Sequence, residues 1–179
     1  ELLQADPNAV RLTAMMETRD PDRKQLYGTD KVWINKFPEN SQGAMRLNNV
    51  VLLRLSEIYL IAAEASAKLN DNAAAAKYLN AIVTRANPKA TPVAEADATV
   101  DRILIERRKE LVGEGHRFFD AMRNNQTIVR YTDEAQKGYH YTLTTPESRK
   151  FDRTYFRIVL PIPRGETNVN RKIQQNPGY

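Results

Sequence analysis

The chain has 179 residues, with 27 Lys and Arg against 22 Asp and Glu, two His and no Cys. That length accommodates one domain with a real hydrophobic core, and 41% hydrophobic with 27% charged residues is ordinary for a globular protein. The absence of cysteine excludes disulfides, thiol catalysis, cysteine-bound zinc and iron–sulfur clusters, and His116 and His140 alone are too few for a histidine-rich metal site.

No apolar run approaches the roughly 18 residues that a membrane-crossing helix needs. The chain opens on Glu1 rather than Met, which points to a processed protein or a fragment, and no signal peptide is visible. The formal charge of +5 does not read as a nucleic-acid footprint. Bases alternate with acids, as in Glu106-Arg107-Arg108-Lys109-Glu110, instead of forming a stripe.

Residues 1–49 are turn-rich. Asp6-Pro7-Asn8 and Asp20-Pro21-Asp22 are turn signals, Val10 to Met16 suits a short helix or strand, and Val32 to Phe37 alternates as a short extended piece ending at Pro38. Residues 50–69 carry the clearest helix: Val51, Leu55, Ile58, Ala62, Ala65 and Leu69 form one apolar stripe, predicted to be the buried face. Arg54, Glu57, Glu64 and Lys68 form a polar row beside it. A Glu64–Lys68 pair adds only about 0.3–0.5 kcal/mol, so burial has to stabilise this helix.

Asn70-Asp71-Asn72 ends that helix and caps a second over 73–86, where Ala75, Leu79, Ile82 and Ala86 recur at helical spacing. It stops at Asn87-Pro88, because the residue before proline is pushed out of the helical region. So short a turn makes the two helices antiparallel neighbours. Thr99 caps a third helix running to about Val112, with Asp101 in its first turn, and His116 to Asn124 reads as a short fourth. From Ile128 onward the chain changes character: Tyr131 to Lys150 is polar and tyrosine-rich, with an extended piece at 139–143, and Tyr155 to Leu160 is a short apolar run. Pro161, Pro163 and Pro177 then keep the tail an ordered meander. The fold class is mainly α: a helical core over 50–124, a lead-in over 1–49, and a loop and tail over 125–179.

Three segments carry a resemblance. Leu53-Arg54-Leu55-Ser56-Glu57-Ile58-Tyr59-Leu60 through Ala65 is the first. The second runs from Glu106-Arg107-Arg108-Lys109-Glu110-Leu111 through Glu114-Gly115-His116-Arg117 to Asp120 and Arg123. The third is Leu160-Pro161-Ile162-Pro163 with the closing Gln175-Asn176-Pro177-Gly178-Tyr179. In this order and spacing they resemble the C-terminal part of the SusD/RagB family of outer-membrane nutrient-binding lipoproteins from Bacteroidetes. Gly113 and Ala121-Met122 depart from that pattern.

The resemblance implies a longer protein with tetratricopeptide-like helical hairpins and a lipid anchor lying outside this chain. It also implies a surface location on the outer membrane, a SusC-type TonB-dependent transporter as partner, and a glycan or oligosaccharide as ligand. Residues 1–179 would form one C-terminal domain, and the hairpin would be one repeat unit whose outer face other units cover.

Two residue groups compete for a functional reading. Glu106, Arg107, Glu110, Glu114, Arg117, Asp120 and Arg123, with Arg54, Glu57 and Glu64, contain paired carboxylates of the kind acid–base catalysis uses. Arginines surround those carboxylates and hold them ionised, so the group reads as a structural ion network and no catalytic residue is assigned. His116 and His140 have no nucleophile motif beside them, and no glycine-rich phosphate loop exists. The second group is aromatic. Sugar rings present C–H faces that stack on Trp and Tyr, and Trp33, Tyr27, Tyr131, Tyr139 and Tyr141 lie in loop-like segments with polar neighbours. They are the candidate ligand contacts, with anchoring of loops as the competing role.

The sequence therefore points to a non-catalytic nutrient-binding component without cofactor or metal. A helical-repeat scaffold that binds protein, and a hydrolase built on the acidic cluster, are the alternatives.

Overall fold

The computed structural model describes residues 6, 8–17, 33–34, 36, 51–130 and 145–179. It is mainly helical and divides into two compact units, Glu1–His116 and Arg117–Tyr179.

In the first unit, helix α1 (Val10–Met15) runs into β1 (Met16–Glu17), which pairs antiparallel with β2 (Trp33–Ile34). The segment that suits helix or strand is thus both in succession. Helix α2 (Leu55–Lys68) and helix α3 (Asn72–Ala86) form the antiparallel hairpin. Asn70 adopts a φ of 63° between them, a left-handed conformation that asparagine tolerates. The Asp71 side chain accepts from the Ala74 amide at 3.0 Å and caps α3. At the far end Asn87 is extended, as the following proline requires.

Helix α4 (Val100–Glu110) is capped by Thr99, whose hydroxyl accepts from the Arg102 amide at 3.3 Å. It ends two residues short of the expected Val112. The connection before it is held to α3 by Asn80, whose side chain takes both the amide and the carbonyl of Val93, at 2.7 and 2.9 Å.

Leu60 of α2, Leu79 of α3 and Ile103 of α4 are the large apolar side chains fully buried where the three helices meet. Ala63 and Ala75 are also fully buried, and their small size lets the hairpin axes approach closely. The stripe expected on α3 is the observed one: Ala75, Leu79, Ile82 and Ala86 are all buried.

Helix α2 differs from expectation in two ways. It begins at Leu55 and not at residue 50, because Arg54 is extended. Its buried face is Leu60, Ala63 and Glu64, whereas Leu55, Ile58 and Leu69 of the expected stripe are 69%, 50% and 79% exposed. The helix is apolar on both sides, and spacing alone could not say which side meets α3 and α4. Glu64, on the polar row, is buried and paired with Lys68 at 2.8 Å.

The second unit starts within helix α5 (His116–Arg123) and contains the antiparallel pair β3 (Ile128–Val129) and β4 (Lys150–Phe151). Helix α6 (Pro146–Arg149) leads directly into β4, and helix α7 (Arg164–Val169) forms just after Pro163, which suits a helix start even though proline bars a helix interior. The chain end is fastened by side chains. Gln175 pairs with both the amide and the carbonyl of Ile162, at 2.8 and 2.9 Å. The Tyr179 hydroxyl donates to the Val159 carbonyl at 2.8 Å, while its ring meets Phe156 edge-on. Gly178, with φ of 94°, lies against Phe156 where a Cβ would sit 2.6 Å from that ring.

Candidate functional site

The acidic and basic motif residues of the first unit converge on one buried centre. Helix α4 turns Glu106 and Glu110 onto the same face, one turn apart, and the turn after it carries Glu114. Arg54, extended just before α2, reaches all of this turn. Its Nη1 donates to Glu110 Oε1 at 2.6 Å, its Nη2 to the Glu110 carbonyl at 2.6 Å, and its Nε to Glu114 Oε2 at 2.9 Å. A planar guanidinium can serve two carboxylates and a carbonyl at once, which an ammonium could not do with the same geometry.

Four further cations complete the centre. Arg85 of α3 donates to Glu110 Oε1 at 2.6 Å, and Arg11 of α1 lies with Nε 3.5 Å from Glu110 Oε2 while its Nη2 donates to Glu106. Arg102 pairs with Glu106 at 3.2 Å. Lys36 donates to Glu114 and to the Glu110 carbonyl, the latter at 2.8 Å. The segment expected to be only a turn-rich lead-in thus supplies two cations to the centre.

The electrostatics follow from this crowding. Burial alone raises a carboxyl pKa, but for Glu110 the hydrogen bond from Arg54 and the charges of Arg85, Arg11 and Arg54 outweigh it and hold the group below the ordinary glutamate range. Glu114 is lowered in the same way, against burial, by hydrogen bonds from Arg54 and Lys36. Burial lowers Lys36, and the pairing with Glu114 only partly offsets it. Arg54 is raised, because its bonds to Glu114 and Glu110 overcome the burial that opposes its charge. Among the described residues Glu110 Oε2 accepts no hydrogen bond, but carboxylates held ionised among so many cations have no proton to give and little tendency to take one. The centre ties α1, α2, α3 and α4 together.

The other motif residues carry interactions of their own. Glu57 lies 3.6 Å from the His116 imidazole, and Glu64 pairs within α2. Arg107 is buried on α4. In the second unit, Arg117 donates to Gln126 at 2.6 Å, and Asp120 accepts from Arg123 at 2.7 Å. Beside Arg11, Arg102 and Glu106 there is a cavity of about 100 Å³. That is far below the roughly 300–1,000 Å³ of ordinary small-molecule pockets. Among the described residues no group of His, Asp and Glu could hold a metal ion, and no helix is long and apolar enough to cross a membrane.

Residues 9–179 match the SusD family. The chain belongs to that family. A curated relative, SusD-like protein P25 of Formosa agariphila, is 31% identical over 157 residues, covering 83% of this chain and 28% of that protein. The crystal structure of a SusD superfamily protein from Bacteroides vulgatus is 43% identical, with a TM-score of 0.78 over 98% of this chain and 37% of that one. The crystal structure of a SusD-like carbohydrate binding protein from the same species is 34% identical, with a TM-score of 0.56 over 74% of this chain and 28% of that one. The chain therefore spans well under half the length of these relatives. Its mainly helical architecture and tetratricopeptide-like hairpin are those of the SusD fold.

For this SusD-family chain the two candidate groups fare differently. The motif of Arg54, Glu110 and Glu114 is brought together by the fold, and Arg11, Lys36, Arg85 and Arg102 join it without having been singled out from the sequence. The aromatic group falls mostly outside the described residues. The backbone of Trp33 lies in β2, opposite Glu17, while Tyr27, Tyr131, Tyr139 and Tyr141 lie outside the described residues.

Proposed function

We propose that this chain is part of a non-catalytic nutrient-binding protein of the outer-membrane surface, which captures a glycan or oligosaccharide and passes it to a SusC-type TonB-dependent transporter. Residues 1–179 would act as its C-terminal domain, with the lipid anchor in another part of the polypeptide. The observation that carries the reading is the family match over nearly the whole chain, together with likeness to a SusD-like carbohydrate binding protein. The acidic cluster supports binding without covalent chemistry, since Glu110 and Glu114 are held ionised by arginine and lysine and not poised to exchange protons.

Ligand capture in this reading is by stacking of sugar C–H faces on aromatic rings, with hydrogen bonds from neighbouring polar groups. Trp33, Tyr27, Tyr131, Tyr139 and Tyr141 are the rings proposed for it, and no cofactor or metal takes part. A glycan array probed with the full-length protein tests this, followed by the same array with Trp33→Ala and Tyr139→Ala. Selective binding that either substitution weakens supports the reading. A protein that retains no glycan overturns the reading, and binding untouched by either substitution overturns Trp33 and Tyr139 as ligand residues.

A further inference from the structure

The cavity of about 100 Å³ beside the charged centre is walled by Arg11 of α1, by Arg102, Glu106 and Lys109 of α4, by Asp6, and by Thr91 of the connection between α3 and α4. Arg11 and Glu106 are 6% and 2% exposed while Thr91 is open to solvent, so the cavity leads from the surface to a buried guanidinium. Its two carboxylates are already engaged. Glu106 accepts from Arg11 Nη2 and Arg102 Nη1, and Asp6 accepts from the side-chain amide of Asn87 at 3.0 and 3.1 Å. Its three cations keep donors in reserve. Among the described residues Arg11 Nη1 is buried without an acceptor, Arg102 uses one nitrogen, and Lys109 makes no bond at all. Folded proteins rarely leave a buried charged N–H without an acceptor, because its desolvation is then uncompensated.

We propose that this cavity binds one small tetrahedral oxyanion, phosphate or sulfate, either free or as the terminal ester of a larger ligand. Three features select that class. The cavity has room for about three water molecules, so it takes a group of a few heavy atoms. Its wall carries one more cation than carboxylates, and both carboxylates are satisfied elsewhere, so the spare donors favour an anion. Those donors belong to α1, to α4 and to the Thr91 connection, and oxygens pointing in several directions can use all three, whereas a planar carboxylate offers only two. Arg11 is steadied on its other side, with Nη2 on Glu106 and Nε 3.5 Å from Glu110 Oε2, so little freedom is lost when Nη1 takes an anion. The assignment rests on this cavity and is independent of the glycan reading.

The full-length protein in Tris chloride, titrated calorimetrically with inorganic phosphate and sulfate at fixed ionic strength, provides the test. Glucose 6-phosphate and glucose 6-sulfate form a second arm. Saturable binding at one site per chain is expected, with a thermal midpoint that rises with anion concentration as linkage requires. Lys109→Glu puts a like charge in the wall without removing a partner of the charged centre, and should weaken binding by about tenfold or more. Lys109→Arg should retain it, and so should Lys77→Glu, a charge reversal on the exposed side of α3. Binding of the inorganic ions makes the occupant a free anion, while binding confined to the sugar esters makes it a substituent of a larger ligand. The absence of saturable binding in both arms overturns the proposal. So does binding that Lys109→Glu leaves intact, or that Lys77→Glu weakens equally, which would mark general attraction to a basic protein.

Discussion

Replacing Glu110 by Gln removes one negative charge and little volume. Three guanidinium groups face that carboxylate, and they will respond unequally. The Arg85 side chain is 55% exposed and can return to water at little cost, as exposed pairs contribute about 0–1 kcal/mol. Arg54 keeps Glu114 and the Glu110 carbonyl. Arg11 is 8% exposed and, among the described residues, keeps only Glu106, which it already shares with Arg102. Breaking a buried ion pair by removing one partner costs about 3–5 kcal/mol, and the retained partners of Arg54 and Arg11 place this case near the lower figure, about 3 kcal/mol. At about 2–4 °C per kcal/mol for a chain of this size, the midpoint should fall by about 6–12 °C. Urea and thermal denaturation followed by circular dichroism measure both quantities, with Arg85→Ala as the comparison at about 1 kcal/mol or less. A loss under about 1 kcal/mol for Glu110→Gln would refute the reasoning, because the carboxylate would then not be what compensates Arg11 and Arg54.

The depressed carboxyls also set a pH dependence. Glutamate in an unfolded chain titrates near pH 4.3, and Glu110 and Glu114 titrate lower in the fold. Their contribution is complete above that value and is lost as pH falls below it and through the lower folded-state values, so the urea midpoint should drop on acidification below about pH 4.3, less steeply in Glu110→Gln. Leu79→Ala, at a fully buried contact of the hairpin with α4, should cost about 2–5 kcal/mol by chemical denaturation. Asp71→Ala removes the cap of α3 and should cost about 0.5–2 kcal/mol by the same measurement. Gly178→Ala places a Cβ against the Phe156 ring at a positive φ, so it should speed proteolysis of the tail while leaving the midpoint of the helical core unchanged.

The second helix of the hairpin was legible residue by residue because its apolar positions occupy one side only: Ala75, Leu79, Ile82 and Ala86 have no rival face. Its partner was legible as a helix but not as a surface. Leu55, Ile58 and Leu69 compete with Leu60 and Ala63 for burial, and only tertiary packing on α3 and α4 decides between them. Caps and stops at Asp71, Asn87 and Thr99 were readable since each acts on neighbours within three residues. The charged centre was half readable. Glu106, Glu110, Glu114 and Arg54 lie in motif order, but the pairings of Arg11 with Glu106 and of Lys36 with Glu114 span 95 and 78 residues, a separation at which local pattern carries no signal. Buried acids without enough local bases were the available clue: Glu106 and Glu110 needed more cations than α4 itself could turn toward them. The aromatic group could be named only by residue type, since the sequence around these rings has no period to fix where they point.

The central claim is that this protein holds its ligand without altering it. The most direct measurement incubates the full-length protein with a mixed oligosaccharide library, recovers what is retained, and compares its mass profile with the input. Retention of a selected set of intact oligosaccharides is the expected result, in the Glu110→Gln variant as well, at a temperature where that variant is folded. Shortened products, formed by the native protein and lost with Glu110→Gln, would contradict it and make the buried acidic centre a catalytic one.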